Sequence, residues 1–233
     1  MTIRDLLKET EHRPYVLPLG KWKYYQEWNK AVFLHWKVAI DELRTCVPGN
    51  LEIDLFEGEA WVSVVAFTMN KIRPRILPAF SPVSDFDEIN IRTYVRRNNK
   101  QGVYFLSIEG GKLLSCKIAR GLSGLPYRYS GMKREKGKYA STNGSFGDVL
   151  KLSFITGETL LQKDSLDKWL TERYALFQDV GQDIREFDIH HIEWPLKKID
   201  VEELTLSYPR FSALVKGQPD KIHYSPGVQV VAW

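Results

Sequence analysis

The sequence predicts a mainly β (α+β) fold: one antiparallel sheet that curls or closes into a barrel, with a few helices packed outside. Three observations predict it. Short alternating segments separated by Gly, Asn and Pro turns recur along most of the chain. Helical spacing with recognisable caps is confined to brief stretches. One strand also carries a polar face beside a partner that is apolar on both sides.

Taken in order, Trp22, Tyr25 and Trp28 predict a short helix near the start, and "DELRTCV" before Pro48 predicts another. "LEIDLF" (51–56) and "AWVSVVAFTM" (60–69) read as a hairpin turned at Gly58. The prolines of "RPRILPAFSPVS" make 73–84 a loop over the surface or a site mouth. "INIRTYVRR" and "VYFLSI" form a second hairpin around a turn at Asn98 to Gly102. Glu109-Gly110-Gly111 then turns the chain into "KLLSCKIAR", read as a strand. "PYRYSGM" and "KYASTN" flank "REKG", and "DVLKLSFITG" adds a further strand. Ser165 is a good N-cap for a helix with an apolar stripe at Leu166, Trp169, Leu170, Tyr174 and Phe177. "IREFDIHHIEW" and "VQVVAW" read as extended. No repeat or linker divides the chain, so 1–233 is expected to be a single domain.

The strand at 86–95, "FDEINIRTYV", decides where a site should be sought. Phe86, Glu88, Asn90, Arg92 and Tyr94 share one face; Asp87, Ile89, Ile91, Thr93 and Val95 share the other. Its hairpin partner "VYFLSI" is apolar on both sides, and such a strand is covered on both sides. The Glu88-Asn90-Arg92 row is therefore expected to be enclosed. Charges are buried only when paired or hydrogen-bonded, so the row predicts either a ligand cavity or an internal ion network.

Composition excludes several classes. With 43% hydrophobic and 27% charged residues the chain is globular rather than disordered. The amino terminus, "MTIRDLLKETEHRP", lacks the apolar run of a secretory peptide, and the longest apolar stretch is about half of a membrane span. Cys46 and Cys116 make no disulfide framework and show no metal spacing, so a cytoplasmic protein without a metal or cofactor is expected. The net charge of +4 is uneven: residues 92–138 hold twelve Lys and Arg against Glu109 and Glu135, a local +10, leaving −6 elsewhere. Such a segment can steer anions, from small carboxylates to nucleic acid.

Familiar chemistry is missing. There is no Gly-rich phosphate loop, and Ser145 in "NGSFG" misses the nucleophile elbow because Asn143 stands at its first Gly. His190 and His191 fall on opposite faces of a strand and have no zinc motif beside them. His35 falls with Phe33 and Lys37, opposite the apolar Val32, Leu34, Trp36 and Val38, and reads as a core histidine. Trp22, Trp28 and Trp36 read as core rather than base-stacking platforms.

The remaining cluster is "AR-GLSG-LPYRYSGM" (119–132). Together with "FLHW", "VPGNL", "GEAWVSVVAFTM", "FDEINIRTYV", "GVYFLSIEGG" and "LTERYALF", it resembles the YqjF-like family, a bacterial domain of unknown function. The resemblance runs from about Trp22 to Trp194 and brings no activity with it. It implies the acetoacetate decarboxylase-like fold, a closed antiparallel barrel with a central cavity. In the decarboxylase an Arg is followed four residues later by Gly and then by x-Pro-Lys-Lys; Arg120, Gly124 and Pro126 match that frame. The Schiff-base lysine falls on Tyr127, its pKa-lowering neighbour on Arg128, and a catalytic Glu upstream on Glu88. A phenol cannot form an imine, so the resemblance does not carry the decarboxylase mechanism. Lys117, the nearest amine in sequence, is assigned no role.

The expected site is thus a cavity lined by Glu88, Asn90, Arg92, Arg120, Tyr127 and Arg128. Glu88 would be the acid or base, Tyr127 a hydrogen-bond donor, and the arginines holders of a small anionic organic molecule. A non-catalytic ligand-binding or sensing module is the alternative. Nucleic-acid binding through 92–138 is the third reading.

Overall fold

The computed structural model describes residues 1–181 and 183–233. After the short helix α1 (Ile3–Leu6) the chain enters a long strand β1 (Tyr24–Val38), then α2 (Ile40–Arg44), β2 (Glu52–Ile53) and β3 (Ala60–Pro74). Helix α3 (Ser81–Ser84) leads into the hairpin of β4 (Phe86–Arg97) and β5 (Lys100–Gly110). Helix α4 (Leu113–Ser123) is followed by β6 (Tyr127–Tyr129), β7 (Gly131–Glu135), β8 (Lys138–Asn143) and β9 (Asp148–Thr159). Helix α5 (Ser165–Thr171) precedes β10 (Ala175–Val180), β11 (Asp183–His190), β12 (Lys197–Ser207) and β13 (Lys221–Ala232).

All these strands join one sheet, so the fold is mostly β as expected. Pairings run β1-β3-β4-β5-β10-β11-β13, and β13 pairs with β1 again to complete a circuit. Two links are narrow: β5 meets β10 at Leu176↔Val103, and β11 meets β13 at Ile189↔Ala232 and His190↔Val231. Strands β12, β9, β8 and β7 continue from β13 as a wing.

The wing explains why the circuit's strands read as nearly continuous apolar runs. Val32, Leu34, Val62, Val64, Ile89 and Ile91 pack on one face against Leu150, Leu152 and Phe154 of β9. Phe33, Val65, Phe67 and Phe86 pack on the opposite face, where Trp194 and Leu196 cover them. Burial on both faces removes the polar alternation of a half-wet sheet.

Several expectations are corrected. The Trp22–Trp28 segment is not helical, because from Tyr24 onward it pairs with both β3 and β13, and its aromatics suit a pleated surface. "KLLSCKIAR" is the body of α4, not a strand; its residues include good helix formers, and Gly124 at φ 75° closes the helix. Segment 51–56 does not form a hairpin with β3. Its β2 pairs with β4, and a Phe56↔Glu59 bridge alone spans the turn. Helix α5 is capped by Asp164 rather than Ser165 and ends at Thr171, which leaves Phe177 on a strand. The sheet is mixed, since β5 is parallel to both β10 and β6. Strand β12 had no sequence expectation; it pairs with β9 along most of its length.

Candidate functional site

Strand alternation sets Glu88, Asn90 and Arg92 on one face of β4, where they pair across to Phe67, Val65 and Ser63 of β3. All three are buried, at 2%, 4% and 8% exposure. Strand β6 runs parallel to β5 with Tyr127 opposite Ile108, and the Tyr127 hydroxyl donates to Glu88 Oε2 at 2.8 Å. Asn90 Nδ2 donates to Glu88 Oε1 at 3.3 Å. Burial pushes the Glu88 carboxyl up to about 7, while these two hydrogen bonds work in the opposite direction. Glu88 therefore sits where it can gain or lose a proton near neutrality. Burial, then the Glu88 charge, raises Tyr127 well above the usual phenol range, so it remains a donor.

Arg92 is a buried cation with no anion beside it among the described residues. Its Nη2 donates to the Leu170 carbonyl at 3.3 Å, its guanidinium lies 5.6 Å from the Phe33 ring centre, and its Nε has no acceptor. Neighbouring Arg173 differs, holding Asp54 Oδ2 at 2.7 Å, and Arg96 holds Asp54 Oδ1 at 2.8 Å. Among the described residues, no carboxylate stands within ion-pair distance of Arg92. Leaving a buried charge unpaired is unfavourable by several kcal/mol in general, on the order of the desolvation penalty for one ion.

The structure adds a second chain of polar groups on the same face. His35 on β1 lies opposite Ser63 on β3, which lies opposite Arg92. Ser63 Oγ is 2.6 Å from His35 Nδ1 and 2.6 Å from the Tyr94 hydroxyl. His35 Nε2 is 3.1 Å from His223 Nδ1, and His223 Nε2 is 2.7 Å from Asp167 Oδ1. Lys221 closes the outer end, 2.6 Å from Asp167. Sequence reasoning placed His35 in the core and passed over Ser63 and His223. The available signal was Ser63, a lone hydroxyl in the apolar run "AWVSVVA".

The other expected residues lie apart. Arg120 is exposed on α4 and does not join the Glu88 row. Arg128 pairs opposite Glu109, stacks on Phe146 at 4.7 Å and donates to Ser107 Oγ at 3.3 Å. It thus belongs with a separate acid cluster, in which Glu109, pushed up to about 7 by burial, accepts from Ser130 and lies near Asp148 and Arg210. Lys117, like Arg120, is exposed on α4.

The cations of 92–138 are dispersed. Arg96 binds Asp54, Lys100 binds Glu186 and Asp188, and Arg97 donates to the Ile184 carbonyl. Two open concavities, of about 540 and 520 Å3, lie elsewhere: one around Lys163, Glu193 and Trp194, the other around Tyr15, Pro18 and Lys100. Trp194, which lines the first, packs edge-on against Phe33 at 5.0 Å, and the Arg92 guanidinium lies 5.6 Å from the same Phe33 ring. Among the described residues, no group of three or more His, Cys, Asp or Glu is arranged to hold a metal ion, and no helix is long and apolar enough to cross a membrane.

Comparison with known proteins shows the family and the fold. Residues 25–229 match the DUF2071 family, described as an uncharacterized conserved protein. "Uncharacterized protein YqjF" of Bacillus subtilis (strain 168) is 34% identical over 225 residues, covering 93% of each chain. An acetoacetate decarboxylase structure aligns with a TM-score of 0.61 at 15% identity, covering 100% of this chain and 97% of its own. An acetoacetate decarboxylase-like enzyme from Sphingomonas wittichii RW1 also gives 0.61, at 13% identity over 94% of both chains. The enduracididine biosynthesis enzyme MppR complexed with pyruvate gives 0.58, at 11% identity over 94% of this chain and 89% of its own.

Proposed function

We propose, because this chain belongs to the DUF2071 family and has an acetoacetate decarboxylase-like fold, that the strand circuit acts as a closed barrel whose interior binds a small carboxylate. The observation that carries this reading is Arg92, a buried guanidinium with an unpartnered Nε and no anion of its own. A carboxylate would supply the missing charge and accept the free N–H. The same fold holds pyruvate, a small carboxylate, in MppR. Glu88, with a carboxyl near 7 and Tyr127 on one oxygen, is the acid/base group along the same row. Entry would come from the Trp194 concavity by movement of the ring against Phe33. The free Cys46 and Cys116 suit a reducing compartment, and a cytoplasmic location is part of this reading.

Turnover does not pass through an imine. Tyr127 stands at the frame position of the lysine, and Lys117 is exposed on α4. Treatment with acetoacetate and borohydride should leave no covalent adduct; an adduct on any lysine, located by peptide mass spectrometry, would reverse this assignment.

The binding claim is tested by thermal shift with a panel of small carboxylates. A ligand at a hundredfold over its Kd stabilises by about 2.7 kcal/mol. Arg92→Met keeps much of the volume and removes the charge, and should abolish the shift. Equal stabilisation of wild type and Arg92→Met would show that Arg92 is not the anion holder.

A further inference from the structure

The chain from Asp167 to Ser63 has a direction. Asp167 is held below the usual carboxylate range by hydrogen bonds from Lys221 and His223 that outweigh its burial, so it can only accept. His223 Nε2 must therefore carry the hydrogen shared with Asp167 Oδ1 at 2.7 Å. Burial lowers His223, offset only in part by Asp167, and lowers His35 much further, with His223 and Arg92 adding to the effect. Both rings are thus neutral, and each neutral ring has one donor and one acceptor. With Nε2 of His223 as donor, its Nδ1 is the acceptor, and His35 Nε2 must donate to it across 3.1 Å. His35 Nδ1 is then an acceptor in turn, and the hydrogen it takes at 2.6 Å comes from Ser63 Oγ, which leaves the Tyr94 hydroxyl to divide its one hydrogen between Ser63 Oγ at 2.6 Å and the Leu170 carbonyl at 2.8 Å.

We propose that Ser63 is a nucleophile activated by His35, His223 and Asp167, acting on a short ester or thioester that carries a carboxylate. The carboxylate half of this substrate rests on the reading that Arg92, opposite Ser63 in the β3–β4 register, receives an anion. The serine's activation rests on the relay alone. A serine hydroxyl hydrogen-bonded to a neutral imidazole, itself oriented by a further acceptor, is the arrangement that acyl transfer requires.

The step balances with water as co-reactant. Ser63 Oγ bonds to the acyl carbon as its proton passes to His35 Nδ1. The alkoxide or thiolate leaves and takes that proton. Water then attacks the acyl carbon and gives a proton to His35, and Ser63 Oγ recovers one as the acyl–serine bond breaks. The net change is ester plus water to acid plus alcohol. Arg92 disfavours a charge on His35, so the developing imidazolium is relayed through Nε2 to His223, 2.7 Å from Asp167. Trp61 Nε1, a buried N–H without an acceptor two residues before Ser63 on the same face of β3, is available to the oxyanion.

Two measurements test this. Wild type is incubated with phenylmethylsulfonyl fluoride and a small fluorophosphonate, and adducts are located by peptide mass spectrometry. The expected result is an adduct on Ser63 that disappears in Ser63→Ala and forms at least tenfold more slowly in His35→Asn. No adduct on Ser63 in wild type, or an unchanged rate in His35→Asn, overturns the proposal. Nitrogen-15 NMR of the wild-type histidines at pH 7 needs no variant to fold. It should show both His35 and His223 protonated at Nε2, and an Nδ1-protonated His35 overturns it equally. The probes carry no carboxylate, so this failure is separable from that of the binding reading. Labelling of Ser63 without any carboxylate thermal shift would sink the Arg92 assignment and leave the serine standing. A carboxylate shift without labelling would do the reverse.

Discussion

At the scale of single residues, a carboxyl that titrates near neutrality inside the fold ties stability to pH in one direction. The unfolded Glu88 releases its proton near pH 4.3 or so, whereas the folded one holds it to about 7. Between those values the native state binds more protons than the unfolded chain, so stability falls as pH rises and levels off above the folded value. A displacement of that size is worth roughly 4 kcal/mol. Glu109 adds the same slope, and the buried histidines, which are lowered, remove stability as pH falls below about 6.5. Those contributions are common to wild type and Glu88→Gln. The difference in Tm between the two should therefore be smallest below about pH 4.3 and grow in favour of Glu88→Gln until it levels off above about pH 7. A flat difference would mean that Glu88 does not titrate in that window. The row Glu88-Asn90-Arg92 was legible because a strand's period of two survives any tertiary context. The Ser63–His35–His223–Asp167 chain was not, because its partners lie on β1, β3, α5 and β13, and no local pattern brings them together.

Among the elements, α4 shows how a short amphipathic segment misleads. Its apolar residues alternate well enough to suggest a strand, but their helical spacing puts Leu114, Ile118 and Leu122 on one exposed stripe. Ser115 and Cys116 form the buried side: Ser115 donates to the Val83 carbonyl at 2.9 Å, and the Cys116 thiol lies against the Gly110 and Arg128 carbonyls. The helix is thus held by small groups, and its large apolar side chains contribute little to the core. Replacing Leu114, Ile118 and Leu122 by Glu, Lys and Gln together should change stability by less than about 1.5 kcal/mol, the range for three exposed sites. Urea unfolding checks it, and a loss of several kcal/mol would show that the stripe is covered in solution. The pairing of the β4–β5 hairpin was readable, but the turn expected at Asn98 to Gly102 is shorter: Asn98 and Asn99 alone form it, both at positive φ, and Lys100 to Gly102 already belong to β5.

For the whole molecule, the mostly β class followed from the density of alternating segments, but the order of strands did not. Parallel pairing of β5 with β10 joins segments separated by α4, the four strands β6 to β9 and α5, and nothing local in either strand announces it. That seam is one of the two narrow links of the circuit, and Gly102 sits at it. A Cβ there would stand 2.6 Å from the Ala175 carbonyl oxygen and 2.8 Å from the Phe177 ring. The carbonyl is backbone in a paired strand and Phe177 is fully buried, so neither neighbour can yield without moving β10. Gly102→Ala should therefore cost about 1–3 kcal/mol, as overpacking does. The loss should be uneven: hydrogen exchange at the Val103 and Leu176 amides should quicken more than at the β1–β3 pairs, which lie on the far side of the circuit. If the circuit encloses the Arg92 site, the same variant should also bind carboxylates more weakly although Gly102 touches none of the site's side chains. Undiminished binding in a variant whose seam exchanges freely would mean that the Arg92 row is enclosed by its own face-packing on Phe33 and α5, and that closure of the sheet is not what shields it.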